Sequence, residues 1–156
     1  MTLNETLTKF EYKFRGRIAT EAESDYLRSS ILGSLLPTWF LDVILSYKLI
    51  GSRLSITQHA DQSSIGVEML WLTPEQMISE ANDVEPGLTV CSNGFLPIGI
   101  CASGSGDPYF LDFRDIESTD PAVIRIRHDL AGEGAYPPVG LELVAHSLSS
   151  FFLVAD

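Results

Sequence analysis

Cysteine is nearly absent, with only Cys91 and Cys101 in 156 residues. Two thiols cannot build a disulfide framework, and their spacing is not that of metal ligands. They read as small core residues in a reducing compartment, with their pairing left open by the sequence. Long apolar runs are also missing. Nothing approaches the roughly 18 consecutive apolar residues of a membrane-spanning helix. Histidine is scarce, and His59, His128 and His146 offer no pair at the i, i+4 spacing of a helical metal site. The scarcity with the widest consequence is of positive charge. Ten Lys and Arg stand against 21 Asp and Glu, leaving −11 at pH 7. Acidity of this size argues against nucleic acid or an anionic membrane as the main partner, because both are polyanions. It permits a basic partner.

The basic residues that exist are crowded toward one end. Lys9, Lys13, Arg15, Arg17 and Arg28 supply half of them, and none lies between Leu54 and Phe113. That stretch holds Asp61, Glu68, Glu75, Glu80, Asp83, Glu85, Asp107 and Asp112. If these carboxylates share a surface, it carries a strongly negative potential; the plainer alternative is a solvated acidic face. Met1 to Glu5 has neither a basic start nor a following apolar segment, so no secretory signal is expected and the expected address is cytoplasmic.

The length suits one domain, with an arm over residues 1–19 and the domain over 20–156. A chain of this size can bury roughly 68–70% of the surface that it exposes when unfolded, enough for a core without disulfides. In the arm, Phe10, Tyr12 and Phe14 alternate as a short strand or docked segment would. Thr20-Glu21-Ala22-Glu23 is a capping box, predicting a helix over about 21–32 with Tyr26, Leu27 and Ile31 turned inward. Leu36-Pro37 opens a second helix, and Trp39, Phe40, Val43, Ile44 and Tyr47 recur at three- and four-residue steps as a core-facing stripe. Truncating Trp39 to Ala costs about 3–5 kcal/mol if that side chain is fully buried.

Strands are predicted over 53–57 and 66–72, then a short helix over 75–82 started by Thr73-Pro74-Glu75-Gln76. Further strands are expected at 89–91, 95–102, 109–113, 122–128 and 141–145, with Pro97 placing a bend or an edge in the second of these. Residues 122–128 alternate apolar and basic positions, as a half-exposed strand should. Ser147 caps a last helix over 148–154. The sum is an α+β domain with N-terminal helices, a mostly antiparallel sheet, one inserted helix and one closing helix.

Little in this inventory is shaped for catalysis. His128-Asp129 with Ser105 could form a hydrolytic triad, but no G-x-S-x-G elbow surrounds any serine. Gly104-Ser105-Gly106-Asp107 lacks the Lys and Ser/Thr of a phosphate-binding loop and lies between two strands, so it reads as a hairpin turn. Asp107, Asp112 and Asp115 offer too few converging oxygens for a divalent ion. No cofactor and no metal is expected.

Several of these segments together resemble the SMI1/KNR4 family (SUKH superfamily). They are Leu36-Pro37 with Trp39 and Phe40, Leu96-Pro97-Ile98-Gly99, the run Gly104-Ser105-Gly106-Asp107-Pro108-Tyr109-Phe110-Leu111-Asp112, Pro121-Ala122-Val123-Ile124, and the closing segment 147–153. The resemblance spans about residues 20–154. The Asn-Gly that such proteins commonly carry after the second helix is reduced here to Gly51. The resemblance implies a single α+β domain that binds proteins without catalysis. In bacteria the reading is an immunity protein that neutralises a cognate toxin, often a nuclease; the alternatives are a regulatory scaffold, or a small-ligand-binding protein or enzyme using Ser105, Asp107 and His128. The expected partner is a basic toxin domain, with Asp61, Glu68, Asp107, Tyr109 and Asp112 as contact candidates where they are exposed. Pro37, Trp39, Gly104, Gly106 and Leu111 are expected to serve the fold.

Overall fold

The computed structural model describes residues 1–156. Four capping boxes set where helices begin. Thr2 with Glu5 starts α1 (Leu3–Phe10), Thr20 with Glu23 starts α2 (Glu21–Ser29), Thr73 with Gln76 starts α4 (Pro74–Asn82), and Ser147 with Ser150 starts α6 (Leu148–Val154). In each, the cap side chain accepts a bond from a backbone N–H that has no partner within the helix. Arg17 strengthens the second box by donating two bonds to Glu23, and with the bonds from Thr20 this holds the Glu23 carboxyl at about 2. Between these helices lie α3 (Thr38–Ser46), with Pro37 as its N-cap, and α5 (Gly87–Val90).

Six strands form one antiparallel sheet in sequence order: β1 (Arg53–Ile56), β2 (Val67–Trp71), β3 (Phe95–Cys101), β4 (Pro108–Asp112), β5 (Val123–Ile126) and β6 (Leu141–Ala145). The α+β expectation is met. Because neighbours in the sheet are neighbours in sequence, the loops after β1, β3 and β5 all emerge at one end, while α4 and α5 bridge β2 and β3 at the other. Pro97 sits in a central strand, and the β3–β4 register shifts between Pro97 and Gly99, so the predicted bend is real. A bulge accommodates a residue that cannot donate to the ladder.

Thirty-eight buried residues make one continuous core. Its centre is aromatic: Trp71 of β2 stacks between Phe40 of α3 at 6.5 Å and Phe152 of α6 at 6.1 Å. Leu111 is fully buried in it.

Several expectations need correcting. The first nineteen residues take the docked alternative and not the strand: Phe10 ends α1, Tyr12 is 71% exposed, and of the three aromatics only Phe14 enters the core, against Phe152. Leu3 and Leu7 join that core as well, and α1 lies along α6, so this segment is continuous with the rest of the fold. Tyr26 and Ile31 point outward, because α2 ends at Ser29 and buries only Ser24 and Leu27. Residues 89–91 belong to α5 and a 3-10 turn, not to a strand. Trp39 is only partly buried, packed against Phe40 and Phe113 at the core's margin. β5 is buried along its whole length, including Arg125. No helix is long and apolar enough to cross a membrane.

Candidate functional site

An open cleft of about 580 Å³ lies where the loops after β1, β3 and β5 come together. Cross-strand register builds one wall. Tyr109, Arg125 and Glu142 stand opposite one another across β4, β5 and β6, which places their side chains on one face, and Gly99 of β3 continues the row without a side chain. Ile56 and Val67 from the first hairpin, and Cys101 with Ser105 around the β3–β4 turn, line the rest. That turn needs glycine at two places: Gly104 and Gly106 have φ of +109° and +70°, a region that L side chains rarely adopt.

Arg125 is the structural centre of the cleft. Its side chain is 4% exposed, and Asp61, 3.7 Å away, has a side chain with no exposure at all. The guanidinium donates to the Ser63 hydroxyl at 2.6 Å and to the Gly66 carbonyl at 3.0 Å, and it approaches Tyr109 Oη and Glu142 Oε1 at 3.5 and 3.4 Å. Asp61 accepts from the Ser63 and Gly66 backbone N–H groups, each at 2.8 Å. Gln62 then donates to the Val144 carbonyl of β6. The loop from Thr57 to Gly66 is thereby fastened across the sheet, from the β1–β2 hairpin to β5 and β6. Burial opposes the Arg125 charge, but the Tyr109 hydroxyl and the Glu142 and Asp61 carboxylates outweigh it and raise its pKa. Burial pushes the Tyr109 phenol up, against the pull of the same guanidinium.

The contact candidates therefore divide. Asp61 and Tyr109 are 3% and 1% exposed and hold the cleft together from inside, so they are not surface contacts. Asp107 is also buried, accepting from the His128 backbone N–H at 3.1 Å and lying 2.6 Å from its Nδ1. Asp112 is at the far end of β4, clamped to Arg114 at 2.7 Å. Glu68 remains. It lines the cleft, is partly exposed, and its carboxylate accepts only from the Ser55 hydroxyl at 2.9 Å. Of the eight carboxylates in the stretch without Lys or Arg, only Glu75 and Asp83 are exposed. Lacking local cations, Asp61, Glu68, Glu85, Asp107 and Asp112 are taken up by turns, by hydroxyls or by basic residues from later in the chain. Glu80 is half-buried with no hydrogen-bond partner, and burial raises its pKa. The acidic window is not an acidic face.

Ser105, His128 and Asp129 do not assemble as a triad, whereas Ser105, Asp107 and His128, named for the small-ligand or enzyme alternative, do meet. The Ser105 hydroxyl accepts from the Asp107 backbone N–H at 3.3 Å, His128 is partnered by Asp107, and Asp129 lies 3.9 Å from Arg127. Asp107 and Asp112 sit at opposite ends of β4, so they do not converge on an ion.

Sequence reasoning passed over Arg125 and Glu142 as site residues, and its expectation of Cys101 in the core is corrected. Arg125 had a signal, since Asp61 lies in a stretch with no cation and needed one from elsewhere. Cys101 is half-buried at the cleft, while Cys91 is in the core, and both are free thiols. Burial pushes the Cys101 thiol up, but hydrogen bonds from the side chains and backbone of Ser103 and Ser105 outweigh it and hold it below the ordinary value. Burial, with the Glu80 charge adding to it, pushes Cys91 up to about 12. The thiolate is the reactive form. An aromatic disulfide reagent at neutral pH should therefore label Cys101 first and Cys91 only as the core opens. Cys101→Ser should remove the fast phase. Equal rates at the two thiols would contradict this electrostatic contrast.

No protein-family model, no curated protein and no solved structure matches the chain. The fold and the cleft define the class at hand: an α+β domain whose six-stranded meander presents three loops around one polar depression.

Proposed function

We propose that the chain is a non-catalytic, cytoplasmic protein-binding module of the SMI1/KNR4 type, an immunity protein that neutralises a basic toxin domain by occupying it. The supporting observation is the cleft, whose strongest cation is already neutralised from within by Asp61, while Glu68 faces it with a neutral hydroxyl as its sole partner. Loops held by a rigid sheet are where binding residues concentrate. A negative site suits a protein that must carry Lys and Arg to reach phosphates, and it speeds their encounter. An interface of ordinary size buries about 800 Å² on each partner, more than the cleft alone, so the flanking loops take part. A second reading, capture of a small ligand, draws on the cleft volume of about 580 Å³, within the range of about 300–1,000 Å³ usual for ligand pockets.

Where a toxic domain is encoded beside this chain's gene, calorimetric titration with that domain tests the first reading. A one-to-one complex is expected, weakening as salt is raised through the range where the Debye length shortens from about 30 to 10 Å. A heat signal from free small molecules, with none from that domain, would favour the second.

A further inference from the structure

Resting on the protein-binding reading, we infer that the cleft is the socket for one cationic side chain, an arginine or lysine at the tip of a partner's loop. Three features of the cleft point to that occupant. Its charges are unequally satisfied. Arg125 is held by Asp61, and Arg127 approaches Asp129 at 3.9 Å, so both guanidinium groups of the cleft already have carboxylate partners. Glu68 has no cationic partner, and Glu142 has only the 3.4 Å contact to a guanidinium shared with Asp61. An incoming cation finds free carboxylate oxygens, whereas an incoming anion would have to displace existing ion pairs.

The walls match the remainder of such a side chain. Ile65 lies 47% exposed at the rim beside Ile56 and Val67, which are buried. A methylene stem can lie along this apolar strip while its charged head reaches inward to Glu68, the arrangement by which long basic side chains bury their carbon and keep their charge solvated or paired. The floor is also preformed. Glu68 is fixed by Ser55 on the adjacent strand, and the Ile65 loop is fastened through Asp61, Ser63 and Gly66, so little ordering cost falls on binding.

The probe is Nα-acetyl-arginine amide, titrated into the isotopically labelled protein and followed by amide chemical shifts. Saturable shifts are expected at Gly66, Glu68, Cys101 and Glu142, with a Kd on the order of 1–10 mM for so small a ligand. Glu68→Gln keeps the bond to Ser55 and should weaken binding about tenfold, the value of a lost charge-assisted contact. Glu75→Gln, at an exposed carboxylate outside the cleft, should leave it unchanged. The inference is overturned if the shifts scatter over the surface carboxylates, if Glu68→Gln binds as tightly as the wild type, or if inorganic phosphate or Nα-acetyl-glutamate amide takes the cleft instead. The two levels separate cleanly. If the toxic domain binds equally to wild type and Glu68→Gln, the socket is wrong and the protein-binding reading survives. If the arginine probe binds in the cleft but the toxic domain does not bind, the socket survives and the immunity reading fails.

Discussion

Arg125→Met is expected to destabilise the fold by about 3–5 kcal/mol, because it removes one partner of a buried ion pair and leaves the other charge uncompensated. The Asp61 side chain has no exposure, and once the guanidinium is gone it keeps only the Ser63 and Gly66 donors. The methionine fills much of the volume of the arginine stem, so the loss reports charge more than cavity. For a chain of 156 residues, such a loss lowers Tm by roughly 6–20 °C. Asp61→Asn in the same chain should recover a large part of it, since the orphaned charge is then removed too. Urea unfolding of the wild type, Arg125→Met and the double variant makes the comparison. A loss below about 1 kcal/mol for Arg125→Met would mean that the guanidinium behaves as a surface charge, against its burial. Amide exchange in the 57–66 loop should also quicken, because Arg125 is what ties Ser63 and Gly66 to β5.

Trp71→Ala should cost about 3–5 kcal/mol as well, through a cavity at the centre of the core. Trp71 is 1% exposed and stacked between Phe40 and Phe152, so its removal unseats α3 and α6 together. Trp39→Ala is the contrast. That ring is only partly buried and touches Phe40 and Phe113 at the margin, so its loss should fall within the ordinary range of about 0.5–3 kcal/mol, below that of Trp71. Thermal or urea denaturation ranks the two, and a larger loss at Trp39 would contradict the placement of the core. Neither variant identifies a binding surface, since each acts on stability.

What was legible in the sequence was mostly local chemistry. The Thr20–Glu23 and Thr73–Gln76 boxes act within four residues, and both helices begin where the boxes require. Gly104 and Gly106 announced a turn because little else tolerates their backbone angles. The same rule applies to Thr2 and Glu5, a capping box that the sequence reading did not take up, following the aromatic alternation of Phe10, Tyr12 and Phe14 instead. Three residues are too few to establish a period, and the box decided the structure. Residues 89–91 misled for a different reason. Thr89 and Val90 favour strands intrinsically, but Gly87 lies directly against the Glu80 carbonyl, and this close approach of α5 to α4 sets the local conformation.

The candidate site was less legible, because its logic is long-range. Asp61 and Arg125 are far apart in sequence and meet only when the β1–β2 loop reaches β5. Charge counting correctly placed eight carboxylates with no Lys or Arg among them between Leu54 and Phe113. It could not tell which of them the fold would consume internally, and most were consumed. The one that faces the cleft with only a neutral partner, Glu68, was among the contact candidates on the basis of charge alone.

Whether the protein acts by occupying its partner or by chemistry is decided most directly by stoichiometry. The activity of a toxic domain that this protein binds should be measured while this protein is added in increments. Occupation predicts a straight decline that reaches zero at one molecule per toxic domain, the same at every incubation time. Full protection at a small fraction of equivalence, deepening with time, would reveal turnover and contradict the account.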